Sequence, residues 1–271
     1  MKPVRYSLLQ QSLDVPGIEQ LKRAFTSVRC LVDSDAHGVA NDAYGILVRD
    51  LDAEDAHRLQ GALRVEGVET ELVAMPLLPS IPPTKYVRRI QFGPDVLLIY
   101  DPIGRPVPIE WRHLMLIAAG NVLMNRLARR AVPGSAADLL TGSSAWNLGG
   151  DRSELGAART EVREERGLEL TLELVLTNGV ARFSLESSAP VIFRCLGERQ
   201  TNDLGENFRL LVHDLAQAAP KAMLNRGAWF LRQSPPTLFE YPSKNAFFEE
   251  IIWMMHRARF GLHPVCNRST C

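Results

Sequence analysis

VRRIQFGPDVLLIYDPIGRPVPIEWRHLMLIAAG, residues Val87–Gly120, decides how the chain is read. It breaks at Gly93-Pro94-Asp95 and at Asp101-Pro102-Ile103-Gly104. Glycine supplies positive φ, proline presets φ, and aspartate bonds its own backbone, so such clusters make turns. The runs between them are rich in β-branched and aromatic residues and predict successive strands, the third closed by Trp111. Val96–Tyr100 is continuously apolar, the pattern of a strand covered on both faces. Beyond Trp111 two readings compete: a strand over His113–Ala119, or a helix over Arg112–Arg130 with Leu116, Leu123 and Leu127 on one stripe. The favoured expectation is a strand to about Ala119, then a helix ending before Pro133-Gly134.

Upstream, the chain echoes itself. Tyr6–Leu13 reads as a strand, Asp14 as an N-cap, and Ile18, Leu21, Phe25 and Val28 as a helical stripe. Cys30–Asp33 reads as a second strand and Ser34–Asp42 as a polar turn. Tyr44–Leu51 is then a strand, Asp52 caps a helix with Ala56, Leu59, Ala62 and Leu63 inward, and Gly67 stops it before a strand over Val68–Met75. A shift of 38 residues places Leu21 on Leu59 and Phe25 on Leu63. The order β-α-β-β-α-β predicts a ferredoxin-like sandwich over residues 1–75. Pro76–Thr84 holds four prolines in nine residues, so residues 76–86 are expected to link this domain to the next.

Downstream, residues 134–167 start with small residues and end in alternating charge, and they read as an insertion on which Leu139, Leu140 and Trp146 are available to dock. Leucines at 168, 170, 172, 174 and 176 alternate with other residues, a half-buried strand. Asn178-Gly179 predicts a two-residue type I′ hairpin to Val180–Leu185, and Val191–Leu196 one more strand. Helices follow over Leu204–Ala219, in part of Lys221–Leu231, and after a Ser243 cap with Phe247, Ile251, Ile252 and Met255 inward and Gly261 as its stop. Residues 220–271 are thus expected to be a helical extension and tail.

The strands of Val87–Ala119 and Leu168–Leu196, the hairpin segment LLIYDPIGRPVPIEW and the Leu204–Ala219 helix together resemble a pleckstrin-homology-like domain over residues 87–219. That resemblance implies a bent antiparallel barrel capped by a helix, and a binding role toward phosphoinositides, peptides or proteins. Basic residues of an early strand–loop bind lipid in that family; Arg88, Arg89 and Arg105 are the ones on offer here, without a lysine-rich loop, so lipid binding is not carried over. The fold class expected for the whole chain is α+β.

Charge and motifs narrow the function classes. Thirty-one basic and 31 acidic residues cancel, leaving no general field for nucleic acid, though a local patch or peripheral lipid contact stays open. The N-terminus lacks an apolar core with a cleavage site, and Leu114–Met124 is about half the ~20 residues a membrane span needs, so a cytoplasmic protein without transmembrane segment is expected. Cys30 and Cys195 read as reduced strand cysteines. No phosphate loop, nucleophile elbow, HExxH or dinucleotide fingerprint occurs, so no cofactor is expected. Asp33, Asp35 and His37 would share one face of a continued strand as metal ligands, against a polar loop as the plainer account. His256, His263, Cys266 and Cys271 lack the short paired spacings of zinc sites. Glu161, Glu164 and Glu165 are interleaved with arginines, as on a solvated face, and Asn207, Asn225 and Arg226 lie where helix ends need capping.

Three functions remain. The first is a non-catalytic interaction or adaptor module with a protein partner or a second copy, using Arg88, Arg89, Arg105 and His113 as surface chemistry, with the tryptophans chiefly in the core. The second is a small-ligand sensor through the N-terminal domain, in the manner of ACT-like domains; Val15-Pro16-Gly17 stands where their glycine-rich loop would be. The third is a metal-dependent enzyme using Asp33, Asp35 and His37.

Overall fold

A computed structural model describes residues 3–28, 31–42, 44–101, 103–132, 159–233 and 235–261 of the chain. It is α+β. The N-terminal part runs β1 (Tyr6–Gln10), α1 (Ile18–Phe25), α2 (Asp33–Asp42), β2 (Ile46–Leu51), α3 (Ala53–Val65) and β3 (Thr70–Ala74). Its sheet has the order β2-β1-β3 with both pairings antiparallel. The repeated stripe is real: Leu21 and Phe25 of α1 and Leu59 and Leu63 of α3 are all at most 1% exposed in one core with Leu8, so the two helices share a face of the sheet. Asp52 Oδ1 accepts the Asp55 amide at 2.8 Å to start α3, and Gly67, at φ +79°, ends it in a conformation that favours glycine.

The chain departs from the expected sandwich at its second strand. Of the strand expected over Cys30–Asp33, Cys30 lies outside the described residues, and Leu31 and Val32 join no strand among the described residues. Asp33 opens a helix that replaces the turn expected over Ser34–Asp42. Ala36, Val39 and Ala40 have helical spacing and pack on the core, while Asp35 accepts the Val32 amide; aspartates and a glycine mask an apolar face. The described strands therefore form a three-stranded sheet. At α1 the N-cap is Gly17, and Asp14 instead accepts the Ser12 hydroxyl.

The β-rich part runs β4 (Thr84–Tyr86), β5 (Arg89–Phe92), β6 (Val96–Tyr100), β7 (Pro106–Glu110), β8 (Leu114–Val132), β9 (Arg159–Leu176), β10 (Arg182–Glu186), α4 (Leu204–Ala218), β11 (Met223–Leu224), α5 (Arg226–Leu231), β12 (Glu240–Tyr241) and α6 (Lys244–Arg259). The turns quoted at the outset separate β5, β6 and β7, an antiparallel meander. A second sheet has the order β11-β8-β9-β10-β4, with β12 also on β8. The pairings β11–β8, β12–β8 and β4–β10 are parallel, which a wholly antiparallel barrel would not contain. Leu97, Ile99, Leu172, Leu174, Phe208 and Leu215 belong to the core beneath α4.

Three local expectations are corrected. Residues beyond Ala119 continue as strand rather than turning helical, because β11 and β12, from about a hundred residues later, pair with β8 at Leu116–Ile117 and Asn121–Val122. The β9–β10 hairpin is closed by a 3-10 turn over Thr177–Gly179 before Val180 and Ala181, longer than a two-residue type I′ turn. Val191–Leu196 is a single bridge, Ile192 to Arg89, followed by a 3-10 segment from Arg194. Of the insertion expected over 134–167, residues 159–167 are strand and 134–158 lie outside the described residues, Leu139, Leu140 and Trp146 among them. The chain divides into two compact units, and the described residues 124–132 and 159–167 belong to the smaller one.

The last helix holds the larger unit together. Eight of the 16 residues of α6 are buried, around most of its circumference. Toward the N-terminal sheet, Trp253 Nε1 donates to the Gln10 carbonyl at 2.7 Å, and Arg49 forks onto Glu249 at 2.6 Å. The Trp253 ring fills the space above Gly45, where a Cβ would lie 2.4 Å from it and where φ is +94°. Toward the β-rich part, Phe247 meets Tyr241, and Phe248 lies under the Arg182 guanidinium. Ser243 caps this helix and Gly261 follows it, as the sequence predicts.

Candidate functional site

Asn225-Arg226-Gly227 begins α5 against β8 at Ala119. Asn225 Oδ1 accepts the Ala228 amide at 2.9 Å, the expected cap, and also the Ala119 amide at 2.8 Å. Its Nδ2 donates to the Ala119 carbonyl at 3.0 Å and to Tyr241 Oη at 2.8 Å. One side chain thus ties a helix start to a strand and to β12. Only glycine fits next: a Cβ on Gly227 would stand 1.9 Å from the Ala119 oxygen.

Arg226 continues the network inward. Its amide donates to Glu250 Oε1 at 2.8 Å, its Nε to Oε2 at 3.4 Å, and its Nη1 to the Leu13 carbonyl at 3.1 Å. The guanidinium lies 4.6 Å from the Tyr44 ring centre and 5.0 Å from that of Phe239. Tyr241 Oη donates to Glu250 Oε2 at 2.7 Å. Glu250 is fully buried with both oxygens engaged. Burial, then the Glu250 charge, holds the Tyr241 phenol well above its ordinary range; burial likewise raises that of Tyr44. Arg226 Nη2 is buried and has no hydrogen-bond partner among the described residues.

A cavity of about 680 Å³ opens beside this network. Leu13, Pro220, Ala222, Met223, Leu224, Trp229 and Met254 supply its apolar wall, and Lys221, Arg226 and Glu250 its charge. The volume is that of an ordinary small-molecule site.

A second buried pair lies on β9 and β10. Arg182 Nη1 meets Glu173 Oε1 at 3.3 Å, with their side chains 6% and 1% exposed. Arg182 also donates to the Pro82 carbonyl at 3.0 Å and to the Thr84 hydroxyl, so it pins the proline-rich segment. Glu173 and Ser184 are cross-strand neighbours, yet Glu173 Oε2 and Ser184 Oγ have no hydrogen-bond partner among the described residues. Burial pushes the Glu173 carboxyl up to about 7 against the lowering pull of the Arg182 charge.

The residues singled out in the sequence do not converge. Asp33, Asp35 and His37 fall on α2, where Asp35 and His37 stand about 200° apart around the axis instead of sharing the face a strand would give them. Asp35 is used by the Val32 amide and His37 is exposed. Among the described residues no group of three or more His, Cys, Asp or Glu is placed to hold a metal. Arg89 stacks on Tyr100, and Arg105 pairs with Asp101, whose carboxyl it holds below the ordinary range through its amide and side chain. Arg88 is exposed. His113 follows the far end of β7, since Tyr100 pairs with Pro106 at one end and Val96 with Glu110 at the other, ~13 Å apart. It lines a separate cavity with Pro108 and Val180. His256 is buried within 3.4 Å of Glu71; His263, Cys266 and Cys271 lie outside the described residues. Trp253 is core, and Trp111 and Trp229 are half-buried.

Glu250 and Tyr241 were not singled out from the sequence, and Arg226 only as a helix-end residue. A signal was present: Glu250 falls three residues after Phe247 and one before Ile251, a carboxylate on an apolar stripe, which needs a buried partner. No family model, curated protein or solved structure matches the chain. No helix among the described residues is long and apolar enough to cross a membrane.

Proposed function

We propose that this chain is a non-catalytic interaction protein of the cytoplasm that recognises its partner by binding rather than by turning it over. The observation that carries the reading is the state of the Asn225–Arg226–Tyr241–Glu250 network. A general base has to reach a substrate proton, and a general acid has to release one toward it. Here both Glu250 oxygens already accept hydrogen bonds, and Tyr241 gives its proton to that same carboxylate. Chemistry that an active site would aim outward is spent on joining strand to helix. Cys195 supports the same reading: it is a free thiol that burial pushes up to about 11, so it serves as packing and not as a nucleophile.

The test is incubation of a metabolite extract with a small amount of the pure chain, followed by mass spectrometry. No metabolite is expected to be consumed beyond one equivalent of protein. Multiple turnovers that vanish in a folded Glu250→Gln variant would overturn the proposal.

A further inference from the structure

We infer that the cavity beside Arg226 takes a small organic carboxylate with an apolar body. The inference rests on the reading of the chain as a binder and names what one of its sites binds. Three observations support it. First, the wall carries two cations, Lys221 and Arg226, and one carboxylate, Glu250, so its formal balance is one positive charge. Second, the hydrogen-bonding capacity left over is of one kind. Glu250 has both oxygens engaged, whereas Arg226 Nη2 keeps an unused N–H donor, so the missing group is an acceptor. Third, the rest of the wall is apolar, with the Trp229 indole and the thioethers of Met223 and Met254.

The order of events follows from exposure. Lys221 is exposed and meets an incoming anion first. Arg226 Nη2 has no accessible surface, so an acceptor reaches it only when a lining side chain gives way. Met223 and Met254 are unbranched and adaptable enough to do so. The gain is a charge-assisted hydrogen bond to a donor that otherwise stays buried and unpaired. A neutral ligand relieves less of that cost, and a cation meets Lys221 and Arg226 as like charges.

Titration calorimetry of the full chain with octanoate, octanol and octylamine at one ionic strength tests this. Octanoate is expected to bind about tenfold more tightly than octanol, with octylamine weakest. Lys221→Gln, a change at an exposed position, should weaken octanoate about threefold and leave octanol unaltered. Ala222→Trp should fill the cavity and abolish binding of both; should that variant not fold, NMR contacts between labelled octanoate and the Met223 and Met254 methyls of the wild type locate the ligand. Equal affinity for octanol and octanoate, no octanoate binding at millimolar concentration, binding that survives a folded Ala222→Trp, or methyl contacts elsewhere would each overturn the inference. Consumption of a probe would instead sink the non-catalytic reading, and so the two fail separately.

Discussion

Arg226–Glu250 and Arg182–Glu173 are both arginine–glutamate pairs at the heart of the molecule, and they are built to different standards. In the first, the carboxylate takes the Arg226 amide, the Tyr241 hydroxyl and the guanidinium, and the cation lies 4.6 and 5.0 Å from the centres of two aromatic rings. In the second, one arginine nitrogen stands 3.3 Å from one carboxylate oxygen and the other oxygen is unpartnered among the described residues. The cost of burying a charge is met by the count of hydrogen bonds to it, not by the presence of an opposite charge alone. Glu173, short of partners, has its pKa raised to about 7 by burial.

The most damaging way to break the contrast is to remove the fully satisfied carboxylate. Glu250→Ala leaves a buried guanidinium, the Arg226 amide and the Tyr241 hydroxyl without their acceptor. Urea denaturation should show a loss of about 3–5 kcal/mol. Replacing both members, Arg226→Met with Glu250→Leu, should cost less than Glu250→Ala alone, because no charge is then stranded.

The second test uses pH. Glu173 titrates near 7 in the folded chain against an ordinary 4.5, so the folded protein keeps a proton that the unfolded chain has released. Its contribution to stability is complete below pH 4.5, falls as pH rises toward 7, and is constant above that. The whole swing is about 3 kcal/mol, spread over the interval. Denaturation midpoints across this range should decline in the wild type, and the decline from this group should vanish in Glu173→Gln. If the slope persists in the variant, the carboxyl is not what titrates.

Which of these features the sequence discloses follows from how local their causes are. The β5–β7 meander, the α3 cap at Asp52 and the α4 and α6 helices depend on residues a few positions apart, and they are legible. The continuation of β8 is not, because its Leu116, Leu123, Leu127 spacing suits a helix and only β11 and β12 decide otherwise. Helix α2 is concealed by turn-forming residues on its outer face. The candidate site is the least legible part, since tertiary packing brings Asn225 to Ala119, Arg226 to Leu13, and Tyr241 to Glu250. Its one local trace is Glu250 on an apolar stripe. Asp33, Asp35 and His37 are by contrast close along the chain, yet on helix α2 the three have no common face.

A third pair completes the series at its weak end. Arg49 reaches from β2 to Glu249 on α6 with two hydrogen bonds, at 3.1 and 2.6 Å, and its geometry is better than that of Arg182 with Glu173. Yet its side chains are 31% and 13% exposed, so water competes for both charges and little desolvation has to be recovered. Arg49→Ala should therefore cost only about 1 kcal/mol, and raising the salt from 0.1 to 1 M should shrink that cost while leaving the penalty of Glu250→Ala nearly unchanged. If Arg49→Ala proved as harmful as Glu250→Ala, hydrogen-bond geometry alone would rank these pairs and burial would not. The expected order places burial first: it determines how much a carboxylate loses when its partners go, and geometry determines how much of that loss each partner was holding back.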